Sequence, residues 1–331
     1  MQPSAPKALS SLTVWCNLPL TEQARESLVS GLSPHRLVWA QDRAEYNQAL
    51  GRPDAQLFEA DIAFGQPEAD QCAESARLLW VHITSAGYTS FARGEARDTL
   101  LARGIPVTTS SAVYDEPCAQ HALAFILTEA RQLPRSFRDQ FGSHAWSTVP
   151  TRAASFLLNG QTVLLVGYGS IAKRLAELLA PFGVNVVGLR RRPRGDEPIL
   201  VRPVAEIADW LPRADIVVNM LPSETDTVDF FDHAKLAAMK SGAMFVNIGR
   251  GSTVDQAALL AALRSHLRAA YLDVSSPEPL PILHPLWSEP NCFITPHVAG
   301  GHGDEYDRLV IYFLANLQRF LAGKALAGRV Y

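Results

Sequence analysis

The sequence has 331 residues, 47% of them hydrophobic and 19% charged, with a net charge of −3 from 30 basic and 33 acidic side chains. Such a chain is long enough for about two globular domains and too apolar to remain disordered. The near-balance of charge leaves no electrostatic footprint for nucleic acid or an anionic membrane, although a small anion needs only a local cationic pocket. Cys16, Cys72, Cys118 and Cys292 lie far apart with no metal-ligand spacing, so free thiols and no metal site are expected. No apolar run approaches the ~20 residues of a membrane span. Asn17 and Pro19 interrupt the short N-terminal apolar run, so no signal peptide and a cytoplasmic location are expected.

In chain order, β-branched runs at 12–16, 37–40, 61–64, 80–84 and 105–109 are predicted strands, and 21–29 and 92–102 are helix-like segments between them. That alternation calls for a parallel sheet covered by helices. A long amphipathic helix is predicted over 114–132, followed by a polar stretch, 136–155, that reads as an exposed arm. From Thr162 the alternation restarts with TVLLV, VNVVG, ADIVVNML, MFVNIG, AAYLDV and CFITPH. The last segment, 304–321, carries Leu309, Val310, Phe313, Leu314, Leu317, Phe320 and Leu321 as one apolar stripe that must be buried.

Residues 163–176, VLLVGYGSIAKRLA, place Gly167-Tyr168-Gly169-Ser170-Ile171-Ala172 between a buried strand and an amphipathic helix. Gly167 permits the tight turn, Gly169 lets backbone approach a pyrophosphate, and Ala172 serves helix–strand packing. Amides at the helix N-terminus would then face the anion. About 20 residues beyond the glycines, an acid would bind the ribose 2′-hydroxyl of NAD. Here Arg190-Arg191-Arg192 stand instead. Guanidinium groups suit a 2′-phosphate, so NADP is the expected cofactor, with NAD possible. The bland alternative is a solvated basic turn, and Asp196 and Glu197 lie close in sequence.

Three later segments deliver polar residues to the carboxyl ends of predicted strands: Arg250 in VNIGRGSTVD, Asp273 and Glu278 in LDVSSPEPL, and His297 in ITPHVAGG. In an open parallel sheet that edge is where ligands bind. Hydride transfer between a dinucleotide and a carbonyl carbon requires a proton to move with it. His297 suits the proton transfer because imidazole titrates near neutrality. Glu278 would orient the ring and favour its protonated form, and Arg250 would clamp the substrate carboxylate and polarise the carbonyl.

These segments, with LPxxxxT from Leu221-Pro222 to Thr227 and MKxGAxxxNxxRGxxVD from Met239 to Asp255, resemble the D-isomer-specific 2-hydroxyacid dehydrogenase family over nearly the whole chain. The resemblance implies an α/β fold of two doubly wound parallel-sheet domains. A Rossmann-type cofactor domain at 114–298 would be inserted in a flavodoxin-like substrate domain formed by 1–113 and 299–331. It implies Arg250, Glu278 and His297 as the catalytic set, and Asp273 as acceptor for the nicotinamide carboxamide. Leu221, Pro222, Thr227 and the backbone of Ile248, Gly249 and Arg250 would line the cofactor site. The Ser85-Ala86-Gly87 turn would hold the substrate carboxylate alongside Arg250 and His297. It further implies a homodimer whose arm around Trp146 reaches the partner. Gln120 stands where the family usually has Glu, which puts a local hydrogen bond in question but not the chemistry.

Within the family, the short chain and arginine cluster point to glyoxylate or hydroxypyruvate reduction. Phosphite or phosphoglycerate oxidation on the same fold, or a dinucleotide-sensing corepressor, are the alternatives. A formate dehydrogenase would carry Gln at position 278, and phosphoglycerate dehydrogenases often carry a regulatory domain that is not expected after Tyr331.

Overall fold

Runs of apolar residues that are buried on both faces form two all-parallel sheets in the computed structural model, which describes residues 11–44 and 51–331. The described residues divide into one unit of those up to 114 with 302–331 and a second of residues 115–301. The long helix Ser111–Ala130 starts in the first unit and continues in the second.

The first unit contains β1 (Thr13–Cys16), β2 (Arg36–Trp39), β3 (Ile62–Gly65), β4 (Trp80–Ile83) and β5 (Val107–Thr109). They pair in the order β2-β1-β3-β4-β5, the flavodoxin-like arrangement. Period-two alternation separates its two cores. Trp15, Ala63, Val81 and Ile83 face one cluster, with Leu57, Cys72 and Leu100. Val14, Cys16, Ile62, Phe64 and Trp80 face the other, which helices Glu22–Leu32 and Glu305–Leu321 cover. The predicted C-terminal stripe is what covers it: Leu309, Val310, Phe313 and Leu317 are buried, and Phe313 stacks on Phe64 at 4.0 Å. Each such side chain contributes roughly 1.5–3 kcal/mol of burial free energy.

The second unit contains β6 (Thr162–Val166), β7 (Asn185–Arg190), β8 (Leu200–Pro203), β9 (Ile216–Asn219), β10 (Met244–Asn247), β11 (Ala269–Leu272) and β12 (Cys292–Ile294). Their order, β12-β11-β10-β9-β6-β7-β8, is the Rossmann pattern with one additional strand beyond it. The order reverses at β6, whose neighbours are β9 and β7, so the crevice lies beyond the β6 carboxyl end. One face is packed by helices Gln256–Ser265 and His233–Ala237 through Ala258, Leu259, Leu263 and Leu236.

Three expectations change. Strand β8 was not anticipated: a strand, rather than only helix and loop, lies between VNVVG and ADIVVNML. It pairs only with β7 at the sheet edge and is part-exposed, so LVRP has no apolar run to announce it. The long helix begins three residues earlier than expected and stops at Ala130, because Gln132 is left-handed with φ 55°. The stretch expected as an arm contains two short α-helices, Leu133–Arg138 and Thr148–Ala154, and a π-helical turn, Asp139–Ser143, none with a buried residue.

Candidate active site

The site of the second unit is assembled from the carboxyl ends of six parallel strands. After β6, Gly167 has φ 95°, and a Cβ there would lie 2.9 Å from the Met220 carbonyl. Only glycine fits this crossing between the ends of β6 and β9. The amides of Gly167 and Tyr168 both donate to the Leu189 carbonyl, at 3.0 and 2.7 Å. Gly169 then caps helix Ser170–Leu179 with no side-chain acceptor, and a Cβ on it would meet nothing within 4 Å. An uncapped helix N-terminus with open space before it fits a bound phosphate. Ala172, Leu175, Ala176 and Leu179 anchor that helix. Tyr168 is buried with its ring against Gly188, and burial raises its phenol pKa.

Arg190 ends β7 and faces Glu197 at 3.5 Å. Arg191 donates to Glu224 and, at 3.0 Å, to Asp226. In the loop after β9, Thr227 is buried, and its hydroxyl donates to the carbonyls of Pro222 (2.6 Å) and Glu224 (3.0 Å). It accepts from the Glu224 amide at 2.8 Å, so Thr227 shapes the turn that carries Leu221 and Pro222.

A buried polar brace, absent from the sequence expectations, holds the next two loops. Asn219 Nδ2 donates to Asn247 Oδ1 (3.1 Å) and Thr253 Oγ1 (2.7 Å). Asn219 Oδ1 accepts the Leu221 amide at 3.2 Å, and Asn247 Oδ1 accepts the Gly249 amide at 3.1 Å. The Arg250 carbonyl accepts Asn247 Nδ2 (3.2 Å) and Thr253 Oγ1 (2.6 Å). The available clue was an Asn ending each of two otherwise apolar runs, IVVN and MFVN. Gly249 also lacks room for a side chain, with a Cβ placed 2.7 Å from the Leu221 carbonyl oxygen.

Arg250 is half-buried, and its Nη1 donates to the Gly249 carbonyl at 2.7 Å. Burial lowers its pKa, opposed by the nearby Glu278 carboxylate. The guanidinium stays charged, and its fork can engage a carboxylate. His297 Nδ1 lies 2.8 Å from Glu278 Oε2, whose other oxygen accepts the Ser275 amide at 3.0 Å. Burial favours the neutral form of Glu278. The His297 hydrogen bond and charge, the Ser275 amide and the Arg250 charge outweigh it and hold its carboxyl below the ordinary range. With Nδ1–H donating to that carboxylate, Nε2 is the ring nitrogen left to exchange a proton with a bound molecule.

Asp273 is buried, and its carboxylate accepts the Thr295 hydroxyl (2.6 Å) and the amides of Val298 and Ala299 (both 2.9 Å). His121 Nε2 reaches Thr295 Oγ1 at 3.2 Å, and burial lowers its pKa. Gln120, the departure from the family pattern, donates to Glu116 Oε1 at 2.6 Å. The structure thus brings Arg250, Glu278, His297 and Asp273 to one edge. Ile248, Gly249 and the glycine turn belong to the same edge of this sheet.

In the first unit, Ser85-Ala86-Gly87 follows β4, with Ser85 Oγ donating to the Gly87 carbonyl at 2.5 Å. The preceding Thr84 carbonyl accepts the Tyr114 hydroxyl at 2.8 Å. The amides of residues 85–87 make no hydrogen bond among the described residues, which leaves three donors available to an anion.

A glycine-turned dinucleotide crevice with an acid–base pair beside a cation defines a pyridine-nucleotide dehydrogenase. Residues 123–299 match the family described as "D-isomer specific 2-hydroxyacid dehydrogenase, NAD binding domain". The chain is 33% identical to glyoxylate reductase/hydroxypyruvate reductase of Mus musculus, over 77% of this chain and 77% of that protein. It is 32% identical to D-3-phosphoglycerate dehydrogenase of Mycobacterium tuberculosis, over 69% of this chain and 43% of that protein. A crystal structure of a D-isomer specific 2-hydroxyacid dehydrogenase from Xanthobacter autotrophicus in complex with NADPH superposes with TM-score 0.80 at 29% identity, covering 97% of this chain and 98% of that one. The chain belongs to the D-isomer specific 2-hydroxyacid dehydrogenase family. It is an NAD(P)-dependent oxidoreductase with 2-hydroxyacid dehydrogenase activity. No helix among the described residues is long and apolar enough to cross a membrane.

Proposed function

We propose that this dehydrogenase prefers NADP(H) and reduces glyoxylate or hydroxypyruvate to the corresponding D-2-hydroxy acid or its achiral equivalent, with His297, Glu278 and Arg250 as the catalytic set. The observation that carries the proposal is the 2.8 Å contact between His297 Nδ1 and Glu278 Oε2, beside the Arg250 guanidinium on the same sheet edge. A nicotinamide cofactor held at this edge would supply the hydride that reduces C2 of the 2-oxo acid. The developing alkoxide takes its proton from His297 Nε2, and Glu278 holds the resulting imidazole in the Nδ1–H tautomer. In the oxidative direction the same nitrogen accepts the hydroxyl proton. Arg250 binds the substrate carboxylate and polarises the carbonyl, a charge-assisted contact worth roughly 1.5–3 kcal/mol.

The glycine turn at 167–171 takes the pyrophosphate, and Arg190 and Arg191 at the end of β7 meet the 2′-phosphate. Leu221, Pro222 and the backbone of 248–250 line the nicotinamide side, braced from beneath by Thr227 and by Asn219 and Asn247. Asp273 accepts from the carboxamide with lone pairs beyond those its turn already uses. Within the first unit, the amides of Ser85, Ala86 and Gly87 are suited to an anion. The arm around Trp146 is assigned to a homodimer contact, because Trp146 (94%), Phe141 (79%) and Val149 (78%) are exposed apolar side chains within it. Glyoxylate and hydroxypyruvate are favoured by the mouse relative's name.

The test is initial rates of NADPH and NADH oxidation with glyoxylate, hydroxypyruvate, pyruvate and phenylpyruvate. The expected result is faster turnover with NADPH and with one of the first two acids. Turnover only with pyruvate or phenylpyruvate would overturn the substrate assignment, and equal or better use of NADH would overturn the cofactor preference.

A further inference from the structure

Both arginines at the end of β7 are held by carboxylates of the chain itself. The Glu197 side chain is only 8% exposed and sits 3.5 Å from Arg190. Its carboxyl also accepts the amides of Arg194 (2.7 Å) and Gly195 (2.8 Å). The β7–β8 loop has thus built a small anion pocket, from two amides and a guanidinium, and filled it with its own anion. Arg191 is taken from the other side. Glu224 and Asp226 both accept from its Nη2, the latter at 3.0 Å. Glu224 is fixed there because it caps the 225–227 turn reciprocally with Thr227. Since β7 and β9 flank β6, carboxylates reach the arginines from the loops on both sides of the glycine turn.

We infer that Glu197, Glu224 and Asp226 are specificity-determining residues for the dinucleotide, acting as internal counter-anions that a 2′-phosphate must displace from Arg190 and Arg191. The inference rests on the reading that these arginines meet the 2′-phosphate. A guanidinium can serve a carboxylate or a phosphate on the same donor pair, but not both without bringing two anions together. The net gain from a 2′-phosphate is therefore the difference between two charge-assisted contacts, and a carboxylate left nearby opposes it further. A 2′-hydroxyl requires no such exchange and can itself donate to a carboxylate. The acids therefore pull the selectivity ratio back towards NAD, and their neutralisation favours NADP alone.

The experiment is calorimetric titration of the full chain with NADP+ and, separately, NAD+ at low salt. The variants are Glu224→Gln/Asp226→Asn, Glu197→Gln and Arg190→Ala/Arg191→Ala. Freeing Arg191 in the exposed acid pair should lower the NADP+ Kd by about three- to fivefold, the scale of an exposed ion pair. The NAD+ Kd should stay within about twofold or rise. Glu197→Gln keeps an acceptor for the Arg194 and Gly195 amides and should shift selectivity in the same direction. The exposed pair tests the inference even if that loop refolds. An equal change for both dinucleotides, or unchanged or weaker NADP+ binding in the acid variants, overturns the inference. If the arginine variant nevertheless loses NADP+ selectively, the phosphate reading stands and this inference alone fails. If the arginine variant weakens both dinucleotides equally, the phosphate reading falls and takes this inference with it.

Discussion

The Asp273 carbonyl accepts the His297 amide at 2.8 Å, and through this bond the end of β11 dictates where the imidazole stands. His297 has φ 52°, in the left-handed region that a non-glycine residue occupies at a cost. A cost of about 1–3 kcal/mol is sustained only when the surroundings over-determine the conformation. Here they do, because the Asp273 carboxylate also receives the Thr295 hydroxyl and the Val298 and Ala299 amides on either side of the histidine. A residue expected from the sequence only as a cofactor contact is also the clamp on the proposed acid–base turn.

Asp273→Asn therefore tests the clamp. The amide has one oxygen to serve three donors and turns an NH2 group towards at least one of them. Leaving a buried donor unpaired costs about 1–3 kcal/mol. The expected outcome is a lower urea midpoint together with a fall in kcat of about 10- to 100-fold, as the ring loses its geometry. Unchanged kcat with normal stability would show that the turn holds without the carboxylate.

The Glu278–His297 pair gives a pH prediction. The folded-state pKa of Glu278 lies below its ordinary value, so the contact's contribution is fully present above the unfolded carboxyl value. It is lost as pH falls through the depressed folded value. The acid limb of kcat/KM due to this group should lie below the ordinary glutamate range. Glu278→Gln should remove that limb and lower kcat by about 10- to 1000-fold, against about 10²–10⁴ for His297→Ala. An acid limb that survives unchanged in Glu278→Gln would assign it to another group.

The parallel strands were legible because both faces of each are covered, so the buried strands read as β-branched runs ending in polar residues. That same rule exposed Arg250, Asp273 and His297, each standing just past such a run. Sequence did not reveal which polar groups would pair. Asn219 meets Asn247 and Thr253 from 28 and 34 residues away, and Arg191 meets Glu224 and Asp226 from 33 and 35. These partners meet because β9 lies beside β10 and is separated from β7 only by β6, a consequence of sheet order rather than of local pattern. Asp196 and Glu197 were noted beside the arginine cluster, but only the loop fold shows that Glu197 turns inward.

The two glycines of the phosphate turn should fail in different ways. Gly167→Ala forces a Cβ to within 2.9 Å of the Met220 carbonyl at φ 95°, so it should lower stability by a few kcal/mol and disturb the turn itself. Gly169→Ala adds a methyl where nothing lies within 4 Å, at φ −103°, which alanine adopts freely. It should leave the thermal midpoint within a degree or two of wild type. Dinucleotide affinity should nevertheless fall about tenfold or more, because the methyl occupies the approach to the phosphate. Comparing melting curves with calorimetric Kd values separates the two. An unchanged Kd in Gly169→Ala would place the pyrophosphate elsewhere.

In the first unit, His82 makes stability depend on pH. Full burial pushes its pKa down to about 3, and Thr108 and Ser110 hydroxyls satisfy both ring nitrogens at 2.6 and 3.0 Å. The folded protein keeps this ring neutral where the unfolded chain, titrating near 6.5, takes up a proton. Between those values the unfolded state binds one more proton, so stability rises with pH and is lost as pH falls from about 6.5 towards 3. One such group contributes a slope of at most about 1.4 kcal/mol per pH unit. His82→Gln retains polar atoms for both hydroxyls but removes the titration. Its urea midpoint should be lower than wild type at pH 8 and should converge with it near pH 5. Parallel midpoint-against-pH curves for the two proteins would show that His82 does not control the acid sensitivity of this unit.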